Sequence, residues 1–315
     1  MTFSKNAFYF NKRKVYDFDE NRGIADTNIA YRFRTDYDGE DETVPNMLET
    51  FFNDPKIGEV DSFVIGMWGV ESDADADVII NKILEHKDKL THIKGLFFGD
   101  ITYEENEVSW IENTSHTRLL NALPSLEFFQ VRGGNGLSLS GLKHDNLKKL
   151  VVQTGGLSSY FYKEMSEAVL PALEHLELWL GSNYYGFDAS AEQVKAAYTG
   201  NGANHLPSLK YLGLRNSEIA DALCEMLKGD PILDRIEELD LSRGNLGDAG
   251  AQALVENPSI KNLKKLDLHH NYISDEWAEK LNNLGIKIDM KERNTNTPPD
   301  DRYISGSEER VEGRG

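Results

Sequence analysis

The chain has 315 residues, with 34 basic and 53 acidic side chains and a formal net charge of −19. This acidic excess disfavours a general nucleic-acid binder and docking on anionic membranes, because both need clustered Lys and Arg. It favours basic or cationic partners. The single cysteine, Cys224, excludes an intrachain disulfide, and no apolar run is long enough for a signal peptide or a membrane span. We therefore expect a cytoplasmic protein.

The first predicted elements along the chain are short strands. The stretches AFYF, KVYDF and IAYRFRTDY alternate apolar and polar residues, as half-exposed strands do. The stretch VPNMLETFFND then has the apolar spacing of a helix. We expect residues 1–58 to form an N-terminal β-rich cap with a lead-in helix.

From residue 59 onward, the pattern L-x-x-L-x-L recurs. Its middle anchor falls at positions 63, 96, 129, 150, 176, 212, 239, 266 and 286. Successive anchors are 20 to 36 residues apart, which is the range of leucine-rich repeats lengthened by inserted loops. Helical patterns such as IADALCEMLKGDP and LGDAGAQALVENP lie between the anchors. Each unit is therefore predicted to be a strand, a loop and a helix.

The predicted fold class is α/β: a leucine-rich-repeat solenoid over residues 59–290, with about eight units and a short C-terminal cap. One strand–helix unit cannot bury both of its apolar faces alone. Neighbouring units must therefore stack, with a curved parallel sheet on the concave side and helices on the convex side. Residues 291–315 are polar and rich in Gly, Pro and charge, which predicts a disordered tail.

Several phrases occur together in a characteristic order. They are FVIGMWG, GDITYEENEVSWI, VRGGNGLSL, LELWLGSNYYG, LGLRNSEIAD and LDLHHNYISD. With them the chain resembles a family of bacterial cytoplasmic leucine-rich-repeat proteins with ribonuclease-inhibitor-like repeats, from residue 8 to residue 290. That family has no established enzymatic activity. The resemblance implies a repeat protein without catalysis and an accessory role beside an enzymatic pathway.

Candidate binding residues follow from strand geometry. Side chains that alternate with the inward anchors face the concave surface, and stacking aligns equivalent positions in columns. Two columns contain the predicted partner-binding residues: Arg132, Trp179, Arg215, His269, Glu177, Asp240 and Asp267. Trp and Arg are typical of binding hot spots, which favours a protein partner. The same side chains could instead form a ladder of ion pairs, with Arg215 bonded to Glu177 or Asp240.

No catalytic constellation is predicted. Asp240, Asp267 and His269 are conceivable metal ligands, but the sequence specifies no further nitrogen or sulfur ligand to complete a site. We therefore expect neither metal nor cofactor. Cys224 lies on an apolar helix face and is expected to be a packed thiol. The aspartates Asp73, Asp75 and Asp77 alternate with alanine before a helix and suit its start. The stretch RGGNG lacks the lysine of a phosphate-binding loop, which favours a turn.

Five further residues have predicted structural roles. Gly66 and Gly99 either leave a hollow in the early repeats or let the segment DITYEENEVSW pack across the sheet edge. His270 is expected to be buried and bonded to a loop carbonyl, Asn271 to bond loop backbone, and Ser274 to cap a helix.

The expected function is a non-catalytic protein-interaction or scaffold module that binds a partner on the concave face. The alternatives are a small-molecule or peptide binder, or an accessory subunit of an enzymatic pathway.

Overall fold

The computed structural model describes residues 3–35, 43–69, 75–200, 202, 205–295, 297–298 and 302–304. The chain forms two compact units. Within the described residues, unit 1 comprises residues 3–152 and Ala168–Pro171, and unit 2 comprises Gln153–Glu167 and residues 172–304. Across the described ranges, no helix combines the length and the apolar character needed to cross a bilayer.

The strands of unit 1 follow one another in chain order. They are β1 (Tyr9–Phe10), β2 (Arg13–Asp17), β3 (Ala30–Phe33), β4 (Ser62–Ile65), β5 (Gly95–Phe98), β6 (Phe128–Arg132) and β7 (Lys149–Gln153). Strands β1 and β2 are antiparallel, and each neighbouring pair from β2 to β6 is parallel. The register aligns Tyr31 with Phe63, Phe63 with Leu96, and Leu96 with Phe129. The parallel repeat register therefore already includes β3, within the predicted cap.

The helices of unit 1 cover the anchor side of its sheet. They are α1 (Val44–Phe52), α2 (Ala76–Glu85) and α3 (Thr117–Ala122). The ring of Phe51 in α1 lies 4.9 Å from that of Phe33 and 6.3 Å from that of Phe63. Full burial of such a side chain stabilises the fold by roughly 1.5–3 kcal/mol. Asp75 caps α2 by accepting the backbone N–H of Asp77, in agreement with the expected helix start, and Asp73 lies outside the described residues.

Unit 2 repeats the same arrangement. Its strands are β8 (His175–Gly181), β9 (Tyr211–Ser217), β10 (Glu238–Asp240), β11 (Lys265–Asp267) and β12 (Lys287–Asp289), and its helices are α4 (Ser159–Glu167), α5 (Ala191–Thr199), α6 (Ala220–Met226), α7 (Asp248–Glu256) and α8 (Asp275–Asn282). These strands are parallel, and their register aligns Leu176, Leu212, Leu239, Leu266 and Ile288. The α/β leucine-rich-repeat solenoid is thus confirmed, and Cys224 is buried in α6 as expected.

Two helices had not been predicted, α3 and α5. Helix α5, with the sequence AEQVKAAYT, lies in the longest insertion and carries few large apolar residues. Its start is nevertheless marked by a capping box, in which Ser190 and Gln193 each bond the other's backbone N–H. The capping-box sequence, rather than apolar periodicity, could therefore have indicated this helix from the sequence.

The loop after β11 agrees with the predicted positions of His270, Asn271 and Ser274, although Ser274 lacks the expected side-chain bond. His270 is buried, with a φ of 54°, and bonds the backbone of Gly244. Asn271 donates to the Leu268 carbonyl at 2.6 Å and accepts from another loop N–H. Ser274 occupies the N-cap position of α8 as predicted, but its side chain makes no capping bond. Asp248 of the preceding repeat holds this turn instead, since it accepts the Ser274 N–H at 2.7 Å.

Part of the predicted tail is bonded to unit 2. The Asn294 N–H donates to the Asn271 carbonyl at 2.7 Å. The backbone N–H and carbonyl of Tyr303 bond the Tyr272 hydroxyl at 3.1 and 2.9 Å. Residues 296, 299–301 and 305–315 lie outside the described residues, and for them the disordered tail stays a prediction.

Candidate functional site

The sheet face that points away from the helices, called here the open face, is the predicted concave surface. In unit 2 each strand contributes alternating side chains to it: His175, Glu177 and Trp179, then Tyr211, Gly213 and Arg215, then Glu238, Asp240 and Ser242, then Lys265, Asp267 and His269. The column that begins with His175 had not been predicted. The sequence could have indicated this column, because each of its members is the residue immediately before the middle anchor of its repeat.

Glu177 is the centre of a bonded network on this face. Its Oε1 accepts from Trp179 Nε1 at 2.8 Å and from Arg215 Nη1 at 2.7 Å. Arg215 Nε also lies 3.4 Å from Asp240 Oδ2. The side chains of Glu177 and Arg215 are only 11% and 12% exposed. Each charge is therefore balanced mainly by the other rather than by water. The geometry therefore contains the ion-pair ladder that was the alternative to a binding strip.

Trp179 is fully buried. The guanidinium carbons of Arg215 and Arg243 lie 4.9 and 5.6 Å from its ring centroid, in cation–π contact. This corrects the exposed indole that strand alternation led us to expect, since Arg215 of β9 and Arg243 of the turn after β10 cover the ring. Trp179 positions the two guanidinium groups and presents no area of its own to a partner.

Gly213 makes room for a cross-strand contact. The ring of Tyr211 stacks on that of His175, with centroids 3.8 Å apart and planes at 2°. The Tyr211 hydroxyl donates to Asp240 Oδ2 at 2.7 Å. Burial raises the pKa of Tyr211, as does the nearby Asp240, so the hydroxyl keeps its proton and remains a donor. A Cβ at Gly213 would lie 3.0 Å from the Tyr211 ring and 3.2 Å from Glu177 Cγ.

The Gly213→Val variant is therefore expected to displace Tyr211. Extra methyl groups in this tight space should lower the free energy of unfolding by about 1–3 kcal/mol. Because the stack would be lost, the His175 ring protons should shift downfield in NMR spectra. A Cβ at Gly58 meets nothing within 4 Å, so Gly58→Val is the matched control. An unchanged His175 spectrum in Gly213→Val would contradict this role.

The three conceivable metal ligands, Asp240, Asp267 and His269, do not point to one common position. Asp240 bonds Tyr211, whereas Asp267 bonds Lys265 Nζ at 2.9 Å and lies 2.7 Å from His269 Nδ1. Burial acts to raise the pKa of Asp267, but His269 and Lys265 hold it well below its usual value. The ammonium of Lys265 thus supplies the positive charge that Asp267 requires.

Among the described residues, one other trio brings potential ligand atoms together: Glu49, Glu85 and His86. The ammonium of Lys82 lies 3.1 Å from Glu49 and 2.7 Å from Glu85, so this trio is neutralised by a lysine. Glu49 has a pKa lowered to about 2 by its bonds to His86, Lys82 and Asn53.

Arg132 belongs to unit 1, whereas the other six predicted site residues belong to unit 2. Its side chain is buried, which corrects the exposure expected from strand alternation. The Phe3 ring lies 3.7 Å from its guanidinium carbon, and Nη1 donates to the Ile101 carbonyl at 2.7 Å. Nη1 also lies 3.6 Å from Asp100. Phe3 therefore covers Arg132.

Asp100 joins a second charged network, on the open face of unit 1. It is fully buried, accepts the Ala7 N–H at 3.0 Å, and lies 3.1 Å from Arg32 Nη1. Burial raises the pKa of Asp100, and Arg132 and Arg32 oppose that effect. Asp17 bonds both Arg32, at 2.6 Å, and Arg34, at 3.2 Å. Arg32 and Arg34 fall within the predicted N-terminal cap and were not among the predicted site residues. Their stretch, IAYRFR, nevertheless alternates apolar and polar residues in the same way as the later repeat strands.

Gly66 and Gly99 allow neighbouring strands to approach closely. A Cβ at Gly66 would lie 2.8 Å from Arg34 Cβ. A Cβ at Gly99, where φ is +93°, would lie 2.7 Å from the Arg132 carbonyl oxygen. The space beside each glycine is thus occupied by the adjacent strand's own atoms.

Stacked strand–helix units with aligned anchors define a leucine-rich-repeat protein. A family model described as Leucine Rich repeat matches residues 236–255, which include β10. A protein of Bacteroides fragilis, known from a crystal structure, is 32% identical, with a TM-score of 0.79 over 88% of this chain and 77% of that chain. The chain belongs to the same family as that protein.

Two more distant structures also match. A leucine-rich-repeat protein of Leptospira interrogans is 18% identical, with a TM-score of 0.42 over 92% of this chain and 61% of that chain. An internalin of Listeria monocytogenes is 13% identical, with a TM-score of 0.35 over 84% of this chain and 74% of that chain. The search of curated proteins gives no match.

Proposed function

We propose that this protein is a bacterial, cytoplasmic, non-catalytic interaction module that binds a protein partner through the open face of unit 2. Leucine-rich-repeat solenoids are protein-interaction modules in general, because stacked repeats create an extended surface. One observation carries the proposal: the polar side chains of consecutive strands are held by bonds to one another. A surface ordered before binding loses little side-chain entropy on association.

The proposed surface combines predicted and newly found residues. It comprises Glu177, Arg215, Asp240, Asp267 and His269, together with His175, Tyr211, Glu238, Lys265 and Lys287. The ion-pair ladder and the binding surface are compatible. The ion pairs hold these side chains in place, and the side-chain atoms that remain exposed contact the partner. Trp179 acts from beneath by holding Arg215. The net charge of −19 supports a partner with a basic surface, such as an enzyme to which this chain is accessory.

Charge reversal at two exposed positions tests this surface. Glu238, whose side chain is 42% exposed, and Lys287 lie on the open face of unit 2. The double variant Glu238→Lys, Lys287→Glu keeps the net charge but inverts the local pattern. Co-purification and mass spectrometry first identify the partner. We then expect the variant to bind it at least about tenfold more weakly, because each reversed charge faces a charge of the same sign on the partner.

The matched control reverses Glu225 in α6 and Lys280 in α8, which are 66% and 43% exposed. It also preserves the net charge and should bind like the unmodified protein. Circular dichroism establishes that both variants are folded. If the partner binds both variants equally well, the open face of unit 2 is not the interface.

A further inference from the structure

Residues 3–11, called here the N-terminal arm, lie on the open face of unit 1. Phe10 is buried in a cluster with Val64 and Phe97, whose side chains alternate with the inward anchors. The Phe10 ring lies 5.8 Å from that of Phe97 and 4.6 Å from that of Phe128. The face that a leucine-rich-repeat protein would offer to a partner is therefore covered in unit 1 by its own chain.

A second anchor of the arm is Phe3. Its ring is 97% buried and stacks on the Arg132 guanidinium, and its carbonyl accepts the Tyr103 N–H at 2.8 Å. A cation and an aromatic face that are removed from water attract by up to about 2 kcal/mol. Phe3 and Phe10 thus fix the two ends of the arm through aromatic contacts.

Between these anchors, the arm is held through polar groups. The Ala7 N–H donates to both carboxylate oxygens of Asp100, at 3.1 and 3.0 Å, and Asn6 Nδ2 donates to the Asp100 carbonyl at 2.8 Å. At the far end, Asn11 Nδ2 donates to Ser62 Oγ at 2.8 Å. A Cβ at Gly95 would lie 2.8 Å from that same nitrogen, so the glycine leaves a slot for Asn11.

An open cavity adjoins the arm. Its volume is about 740 Å³, and it is lined by Ser4–Phe8 together with residues that include Arg32, Arg34, Met67 and Thr102. This volume is within the range of roughly 300–1,000 Å³ that is usual for ligand sites. The middle of the arm, Ser4 to Ala7, carries short side chains apart from Lys5. A peptide with larger side chains at these positions could bury more surface than the arm does.

We propose that the open face of unit 1 is a peptide-binding groove, occupied by the N-terminal arm as an intramolecular ligand. Its partner is a peptide segment with two aromatic side chains spaced like Phe3 and Phe10, one for the Arg132 guanidinium and one for the hollow of Val64 and Phe97. The arm competes at a high effective concentration because it is tethered. The inference concerns unit 1 and does not rest on the function proposed for unit 2.

The test uses the full chain with its arm weakened by Phe3→Ala and Phe10→Ala. The probe is a fluorescent synthetic peptide, FSKNAFYFN, which has the sequence of residues 3–11. We expect this variant to bind the peptide saturably. The unmodified chain should bind it at least about tenfold more weakly, since its own arm competes at an effective concentration in the millimolar range. Fluorescence anisotropy measures both affinities.

Two controls separate groove binding from unspecific adhesion. A peptide with alanine in place of its first and last phenylalanines should not bind. The variant Phe8→Ala, Tyr9→Ala removes two aromatic rings of the same arm that are 56% and 51% exposed, and it should behave like the unmodified chain. If the folded Phe3, Phe10 variant fails to bind the peptide, or if all three chains bind equally, the proposal is overturned.

A second measurement covers the case in which that variant does not fold. In the unmodified chain, hydrogen exchange of the Ala7 amide reports release of the arm from Asp100. We expect it to exchange at least about tenfold faster than the amide of Leu96 in β5, because a displaceable arm opens by breaking its own contacts, including the β1–β2 pairing, while strands β2 to β6 stay paired. Equal rates would mean that the arm is an integral part of the unit 1 core and would overturn the proposal.

Discussion

Replacing Asp100 with alanine is expected to lower the free energy of unfolding by about 3–5 kcal/mol, because it removes the fully buried carboxylate that the Arg132 and Arg32 guanidinium groups both face. Asp100 is fully buried and lies 3.1 Å from Arg32 and 3.6 Å from Arg132. It also accepts the Ala7 N–H, so the variant should lose protection of that amide. Urea unfolding and hydrogen exchange of the full chain measure the two effects.

Asp17→Ala is the matched control. Asp17 also bonds Arg32, at 2.6 Å, but its side chain is 45% exposed. Water can replace an exposed carboxylate, so the expected loss is at most about 1 kcal/mol. Asp100→Asn should fall between the two, because it keeps an acceptor for Ala7 but removes the charge. Burial raises the pKa of Asp100, so burying its charge is itself costly. Equal effects of the two alanine substitutions would refute the buried-anion role.

Replacing Glu177 with alanine is expected to have the second largest effect, a loss of about 3 kcal/mol. Glu177 Oε1 accepts from Trp179 Nε1 at 2.8 Å and from Arg215 Nη1 at 2.7 Å. Without it, the fully buried indole N–H loses this acceptor, and Arg215 loses its 2.7 Å ion pair while its Nε still bonds Ser242 Oγ at 3.1 Å and lies 3.4 Å from Asp240. Urea unfolding of the full chain measures the loss.

A double-mutant cycle with Arg215→Ala separates the Glu177–Arg215 pair from the bond to Trp179. We expect a coupling energy of about 1 kcal/mol or more, since the two side chains are in direct contact and mostly buried. Glu237→Ala is the control, because Glu237 is 45% exposed and bonds Lys264 on the protein surface. Its loss should be below about 1 kcal/mol. A Glu177 effect no larger than that of Glu237 would show that the network adds little stability.

The repeat anchors were predictable because they are subject to one repeated constraint. Each strand must place its leucine-type side chains in the row that the neighbouring strand has already buried. Phe63, Leu96 and Phe129 are aligned in unit 1 by their register, as are Leu212 and Leu239 in unit 2. Strand positions, parallel pairing and most helices therefore follow from spacing and apolarity alone.

The open face was predictable only in part. Alternation along a strand correctly places Glu177, Asp240 and Asp267 on one face, but it does not reveal what covers that face. Trp179 is covered by Arg215 of β9 and by Arg243 of the turn after β10. Arg132 is covered by Phe3, from the beginning of the chain.

The sequence by itself determined that this protein is a leucine-rich-repeat solenoid, because a short periodic pattern dictates which side chains are buried between neighbours. Only the tertiary structure decided which polar side chains remain accessible. It pairs Glu177 with Arg215 and places the N-terminal arm over the open face of unit 1. The physical reason is that such contacts join residues distant in the chain, and their geometry depends on side-chain reach across strands rather than on any local pattern.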